Sequence, residues 1–157
     1  MVQTNSDRGE DERKMSSQKE SEIYAYFQLI GMEFDPDEVT AKVGIKPTKI
    51  RRIGDLITSR GTRRYEENAW CVYSQLEEKS IHLEDYVKSV LEQLQPGWLP
   101  LVELCKHYYV EIACVIYYYS GSVPSIHFDK YIVEMAHQLN AEIDVDLYVL
   151  TEEVSAA

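Results

Sequence analysis

The sequence lacks a long apolar run. None of its 157 residues belongs to a stretch near the roughly eighteen apolar residues that span a membrane. The first twenty residues hold few sizeable apolar groups, so no hydrophobic segment of a signal peptide is present. We therefore expect a cytoplasmic protein that binds no membrane.

Cysteine is scarce as well. Cys71, Cys105 and Cys114 are widely spaced and stand among apolar neighbours. Their odd number and their spacing favour buried, reduced thiols over a disulfide framework or a metal site. The four histidines have no short ligand spacing, so neither a metal nor a cofactor is predicted.

The motifs of several enzyme classes are also missing. The sequence has no Gly-x-Ser-x-Gly elbow, no dinucleotide-binding fingerprint and no P-loop. No catalytic residue is assigned, and an enzyme is the less favoured class.

Negative charge is plentiful but unevenly distributed. The chain carries a net charge of −11, whereas residues 46–64 hold seven bases and only one acid, which gives +6. With the first 21 residues at −1, the remainder carries −16. An acidic body of this kind repels nucleic acid and attracts basic partners.

Local patterns alternate between strand and helix. A period of two from Ile23 onward predicts the first strand. A helix is predicted over 36–43, because Asp35 is an N-cap, Pro36 suits the first turn and Gly44 suits the end. After a basic loop over 46–68, the predicted elements are strands over 69–76, 108–119 and 142–150 and helices over 83–94, 99–106 and from Asp129 to Asn140.

This order predicts an α+β fold of the ferredoxin-like type. We expect a two-layer sandwich: a largely antiparallel sheet, helices on one face, and an inserted helical segment between the second and third predicted strands. Residues 1–21 are predicted to be a disordered tail, 22–151 a single domain and 152–157 a flexible C-terminus.

Several landmarks follow one another along this domain. They are the first strand leading into Asp35-Pro36-Asp37-Glu38, then Gly44-Ile45-Lys46-Pro47-Thr48, Gly54-Asp55, Trp70, and Asp144-Val145-Asp146-Leu147-Tyr148. Together they resemble a bacterial family known as domain of unknown function 4279, over residues 22–150. The resemblance implies neither an activity nor catalytic residues. By analogy with small acidic domains encoded beside toxins, it raises the expectation of an immunity protein.

The basic loop is one candidate site. Its arginines could bind a phosphate or carboxylate through paired N–H donors. The alternative is a solvated loop whose arginines pair with the acidic body, and this alternative is favoured. The candidate anion-binding residues are Arg51, Arg52, Arg60, Arg63 and Arg64.

The last predicted strand supplies a second candidate. Glu142, Asp144 and Asp146 alternate, so their carboxylates share one face. That face is a solvated surface, a partner surface or, least favoured, a metal site or catalytic carboxylate pair. If the sheet is open on one side, three tyrosines from the first and last strands share that face; otherwise they pack under the inserted helices. The candidate partner-binding residues are Tyr24, Tyr26, Glu142, Asp144, Asp146 and Tyr148.

The favoured function is a non-catalytic domain that binds a basic protein, with a toxin-immunity protein as a specific case. The alternative is a module or enzyme for a small anionic ligand that uses the basic loop, with Asp55 as its nearby base. Nucleic acid is not an expected partner, and homo-oligomeric assembly stays open.

Overall fold

The computed structural model describes residues 19–150. Most of the predicted N-terminal tail, residues 1–18, lies outside the described residues, as does the predicted flexible C-terminus over 152–157. No helix in the described part of the chain is both long and apolar enough to cross a membrane.

The described residues form an α+β fold with one five-stranded mixed sheet. Its strands in chain order are β1 (Glu22–Gly31), β2 (Lys49–Arg51), β3 (Asn68–Tyr73), β4 (Tyr109–Tyr118) and β5 (Glu142–Val149). Their order across the sheet is β2-β3-β1-β4-β5. All neighbours are antiparallel except β4 and β5, which are parallel and joined by a helical crossover.

Four α-helices lie within residues 19–150. They are α1 (Pro36–Val43), α2 (Leu83–Leu94), α3 (Trp98–Cys105) and α4 (Lys130–Gln138), with a 3₁₀ turn over Gln95–Gly97 between α2 and α3. Side-chain caps fix two of the starts, because Asp35 accepts from Asp37 N and Asp129 accepts from Ile132 N. Gly44 and Asn140 take the left-handed conformation just beyond α1 and α4, as their sequence positions predicted.

The core fills the space between the helices and one face of the sheet. Alternation in the central strand sends Ala25, Phe27 and Leu29 into it, and Trp70 packs edge-on against Phe27. Apart from Pro36 and Ser89, the buried residues of all four helices belong to this same cluster, so within residues 19–150 the helices pack on a single face. The α+β class predicted from the sequence is confirmed.

Two details differ from the sequence prediction. The segment 46–68 is not loop throughout, because Lys49–Arg51 pairs with β3 as an edge strand. The ferredoxin-like topology is not confirmed: β1 is antiparallel to both of its neighbours, and the parallel pair lies at the β5 edge. The helical segment between β3 and β4 stands where it was predicted.

Candidate functional site

The sheet face opposite the helices, called here the uncovered face, carries the side chains that alternate with the core residues. On β1 these include Tyr24, Tyr26 and Gln28, whose partners across both interfaces follow from the register. Two groups of side chains cross this face, one aromatic and one polar. They run side by side over several strands.

Stacked tyrosines form the first group, called here the tyrosine band. The Tyr26 and Tyr73 rings stack with centroids 4.6 Å apart, and Tyr24 stacks against both of them. Toward the β5 edge of the same face, the Tyr117 and Tyr148 rings stack with centroids 5.0 Å apart. Offset aromatic stacking adds stability beyond the burial of area and holds the rings in place.

Acidic side chains border the band on β5. Asp144 is the register partner of Ala113, which in turn pairs with Tyr26. Both Asp144 and Asp146 are exposed, and no salt bridge within 4.0 Å reaches either carboxylate among residues 19–150. Ala113 is almost fully buried, so rings and carboxylates form the outer surface here.

A chain of hydrogen bonds forms the second group, called here the polar chain. Arg51 Nη2 donates to Gln28 Oε1 at 2.5 Å, and Gln28 Nε2 donates to Glu111 Oε1 at 3.0 Å. The Tyr109 hydroxyl then lies 2.7 Å from Glu111 Oε2 and 2.8 Å from Glu142 Oε2. The polar chain therefore links the basic edge of the sheet to its acidic edge.

Electrostatics keep these tyrosines protonated. Burial raises the pKa of Tyr24 to about 12, with the nearby Tyr117 as a second cause. Burial likewise raises the pKa of Tyr26 to about 12, with Tyr73 as a second cause. Hydrogen bonds to Glu111 and then Glu142 raise the pKa of Tyr109. These hydroxyls stay neutral near pH 7 and act as hydrogen-bonding groups.

The structure separates the predicted anion-binding arginines. Arg52 faces away from the sheet face and binds two acids near the start of α1, at 3.4 Å from Asp35 and 2.9 Å from Asp37. Arg60 is exposed at the far end of the loop. The favoured alternative, arginines paired with the acidic body, therefore describes Arg52.

The other three arginines lie together in a cleft of about 610 Å³ at the end of the uncovered face. Arg51 lies over the Tyr65 ring at 5.3 Å, and Arg64 Nη1 donates to the Gly54 carbonyl at 2.6 Å. Arg63 completes the basic part of the lining, and Glu66 and Glu67 also line the cleft. This grouping was visible in the sequence only as a run of positive charge.

The structure brings all six predicted partner-binding residues onto the uncovered face, although their role in binding stays a prediction. Among the tyrosines and acids of the same face, sequence reasoning missed four. Strand alternation could have found them, because β3 and β4 present every second residue to each side. The four missed residues are Tyr73, Tyr109, Glu111 and Tyr117.

The cysteine thiols are buried, and the described residues form no cluster of metal ligands. Cys71, Cys105 and Cys114 are free and buried, as the sequence predicted, and burial raises the pKa of each thiol. Within residues 19–150, no three His, Cys, Asp or Glu side chains are grouped so as to hold a metal ion.

The family comparison agrees with the resemblance found in the sequence. The family model described as Domain of unknown function (DUF4279) matches residues 21–150. The chain therefore belongs to this family of domains of unknown function. No match was found among curated proteins, nor among solved structures.

Proposed function

We propose that this protein is a non-catalytic interaction domain whose uncovered face binds a basic protein. The observation that carries the proposal is the tyrosine band beside Asp144 and Asp146, whose carboxylates have no cationic neighbour among the described residues. Interfaces are enriched in tyrosine at their centres, and surfaces of opposite charge attract.

The geometry suits a lysine or arginine side chain of the partner. Tyr26, Ala113 and Asp144 lie in one row across three strands, and Tyr24, Val115 and Asp146 lie in the next. A cation placed on such a row meets a ring face and a carboxylate together, which combines a cation–π contact with a charged hydrogen bond. Two adjacent rows favour a partner with at least two basic residues.

The tyrosines are suited to binding because their side chains would lose little conformational freedom in a complex. Stacking and partial burial already restrict Tyr24, Tyr26 and Tyr73. Ordering a free side chain at an interface costs roughly 0.5–1.5 kcal/mol, and a pre-ordered ring avoids most of that cost. The band therefore favours tight binding without a rearrangement of the sheet.

The test uses charge reversal at residues that make no hydrogen bond in the polar chain. The double variant Asp144→Lys with Asp146→Lys should lose the partner in an affinity pull-down read by mass spectrometry. With the purified partner, its association rate should fall by about ten-fold at low salt. The lost partner should be basic, and wild-type binding should weaken as salt rises.

The control is Glu92→Lys with Glu134→Lys, on helices α2 and α4, which changes net charge by the same amount away from the uncovered face. This control should keep the partner. Equal loss in both variants would show only a general charge effect. A pull-down that yields no protein sensitive to the β5 reversal would refute the proposal.

A toxin-immunity protein is the specific case that we include in this proposal. Its support is the acidic character of the domain together with the analogy to domains encoded beside toxins. The adjacent reading frame, expressed alone, should arrest growth, and coexpression of this protein should restore it. Growth arrest that coexpression does not relieve would remove this case and leave the general proposal standing.

A further inference from the structure

The cleft beside β2 has a charge balance unlike the rest of the protein. Its lining holds three arginines (Arg51, Arg63 and Arg64) and two glutamates (Glu66 and Glu67), a net charge of +1, while the whole chain carries −11. We propose that this cleft binds a small organic anion, a carboxylate or phosphate carried on an apolar body. The proposal is independent of the protein-binding function above, because it uses another set of residues.

No cleft arginine is held in a salt bridge within the described part of the chain. Arg52 on the same loop forms salt bridges with Asp35 and Asp37. By contrast, no salt bridge within 4.0 Å joins any of the three cleft arginines to an acid in the described part of the chain. Guanidinium groups that are not committed to a salt bridge keep N–H donors with which to bind an oxyanion.

Two of the cleft arginines keep accessible donors for a ligand. Arg51 is more committed, because its Nη2 donates to Gln28 and its Nε is buried, so it contributes mainly its charge. Arg64 uses Nη1 on the Gly54 carbonyl. Arg63 has no side-chain hydrogen bond within the same residues, so its whole fork is available.

A short hairpin within the loop holds the arginines in place. Leu56 and Arg64 form an antiparallel bridge, and Ile57 N donates to the Arg63 carbonyl at 3.0 Å. Tyr65 N donates to the Asp55 carbonyl at 2.9 Å, which closes the base of the hairpin. Anchored backbone on either side of Arg63 reduces the ordering cost of binding.

The remaining lining sets the chemistry of the ligand. Ile30, Met32 and Ile57 bring apolar surface to the cleft, and Met32 and Ile57 are 66% and 41% exposed. Such exposed apolar side chains gain by covering an apolar ligand body. Glu66 and Glu67 also line the cleft and repel anions in proportion to their charge, so they favour a ligand with one small anionic group over a polyanion such as nucleic acid.

The test compares three probes by NMR titration of the full chain labelled with ¹⁵N. The probes are phenyl phosphate, inorganic phosphate and benzyl alcohol. Phenyl phosphate should give saturable shifts at Arg51, Arg63 and Tyr65, with a dissociation constant at or below about 1 mM. Inorganic phosphate should bind about ten-fold more weakly because it lacks the apolar body, and benzyl alcohol should not saturate.

Two exposed arginines provide the matched pair of variants. Arg63→Gln should raise the dissociation constant of phenyl phosphate at least about five-fold. Arg60→Gln removes the same charge from the same loop outside the cleft and should change it less than about two-fold. Equal effects of both variants, no saturable binding of phenyl phosphate, or equal affinity for inorganic phosphate would each overturn the proposal.

Discussion

Arg51 and Gln28 join the two charged regions of the molecule through one hydrogen bond of 2.5 Å between Nη2 and Oε1. Arg51 lines the basic cleft, while Gln28 belongs to the central strand and passes the connection on to Glu111. Gln28 is only 7% exposed, and its buried side-chain amide hydrogen-bonds both the Arg51 guanidinium and the Glu111 carboxylate. A neutral side chain thus separates a cation from an anion.

Gln28→Met should destabilise the fold. Methionine keeps much of the shape of glutamine but removes the acceptor for Arg51 and the donor for Glu111. Leaving such groups without a partner costs about 1–3 kcal/mol of unfolding free energy. Urea unfolding followed by tryptophan fluorescence measures the change. An unaltered midpoint and slope would show that water replaces the amide at no cost.

Tyr109→Phe should lower stability near neutral pH. Glu111 and Glu142 are register partners on β4 and β5, and the Tyr109 hydroxyl lies between their carboxylates. Like charges directly opposite each other destabilise a sheet by roughly 0.2–1 kcal/mol, and the hydroxyl offsets this repulsion. The difference from wild type should shrink in a Glu142→Gln background, which removes one of the two charges. Urea unfolding of the four chains tests this, and an equal loss in both backgrounds would contradict the stated cause.

Alkaline pH should weaken the protein in part through Tyr26. Its pKa is 10.0 in the unfolded chain and is raised by burial to about 12 in the fold, so the native state holds the proton more tightly. This contribution to stability is complete below pH 10 and is lost as pH rises through about 12. Tyr26→Phe should therefore flatten the decline of unfolding free energy over this window. An equally steep decline in the variant would argue against it.

The three cysteines should resist a thiol reagent in the native state. Burial raises the pKa of Cys105 and Cys114 to about 12, and burial also raises that of Cys71, so little thiolate is present. Absorbance assays should count no reactive thiol before unfolding and three afterwards. Cys71 lies on the uncovered face, unlike the other two, and should react first under mild denaturant. Prior reaction of Cys105 would show instead that the helical layer opens first.

Sequence patterns predicted the helices whose ends are defined by capping residues or by left-handed turns. Helix α1 begins at Pro36, just after its N-cap Asp35, and ends just before Gly44, because capping and left-handed turns depend on local residues. Strand β2 was missed, since three residues cannot display a period and Lys49–Arg51 is a strand only through its pairing with β3. The parallel pairing of β5 likewise depends on a crossover that no local pattern encodes.

The candidate site was also predictable only in part from the sequence. Alternation placed Asp144, Asp146 and Tyr148 on one face of the last strand, as the structure shows. It could not show that Tyr73 would stack on Tyr26, because that contact depends on the register between β1 and β3. Nor could charge alone show that Arg52 would bind Asp35 while Arg51 entered the cleft.

The position of β5 at the margin of the sheet has a consequence for self-recognition. Leu150 N donates to the Tyr118 carbonyl, so the intervening odd-numbered residues of β5 direct their backbone groups outward. A second copy that extended the sheet antiparallel through this strand, with Val145 opposite Val145, would place Asp144 of each chain opposite Asp146 of the other. Two identical chains would repel there, whereas a foreign strand with basic side chains would be attracted. The same acids that we propose attract a basic partner would therefore oppose pairing of β5 with a second copy of the chain.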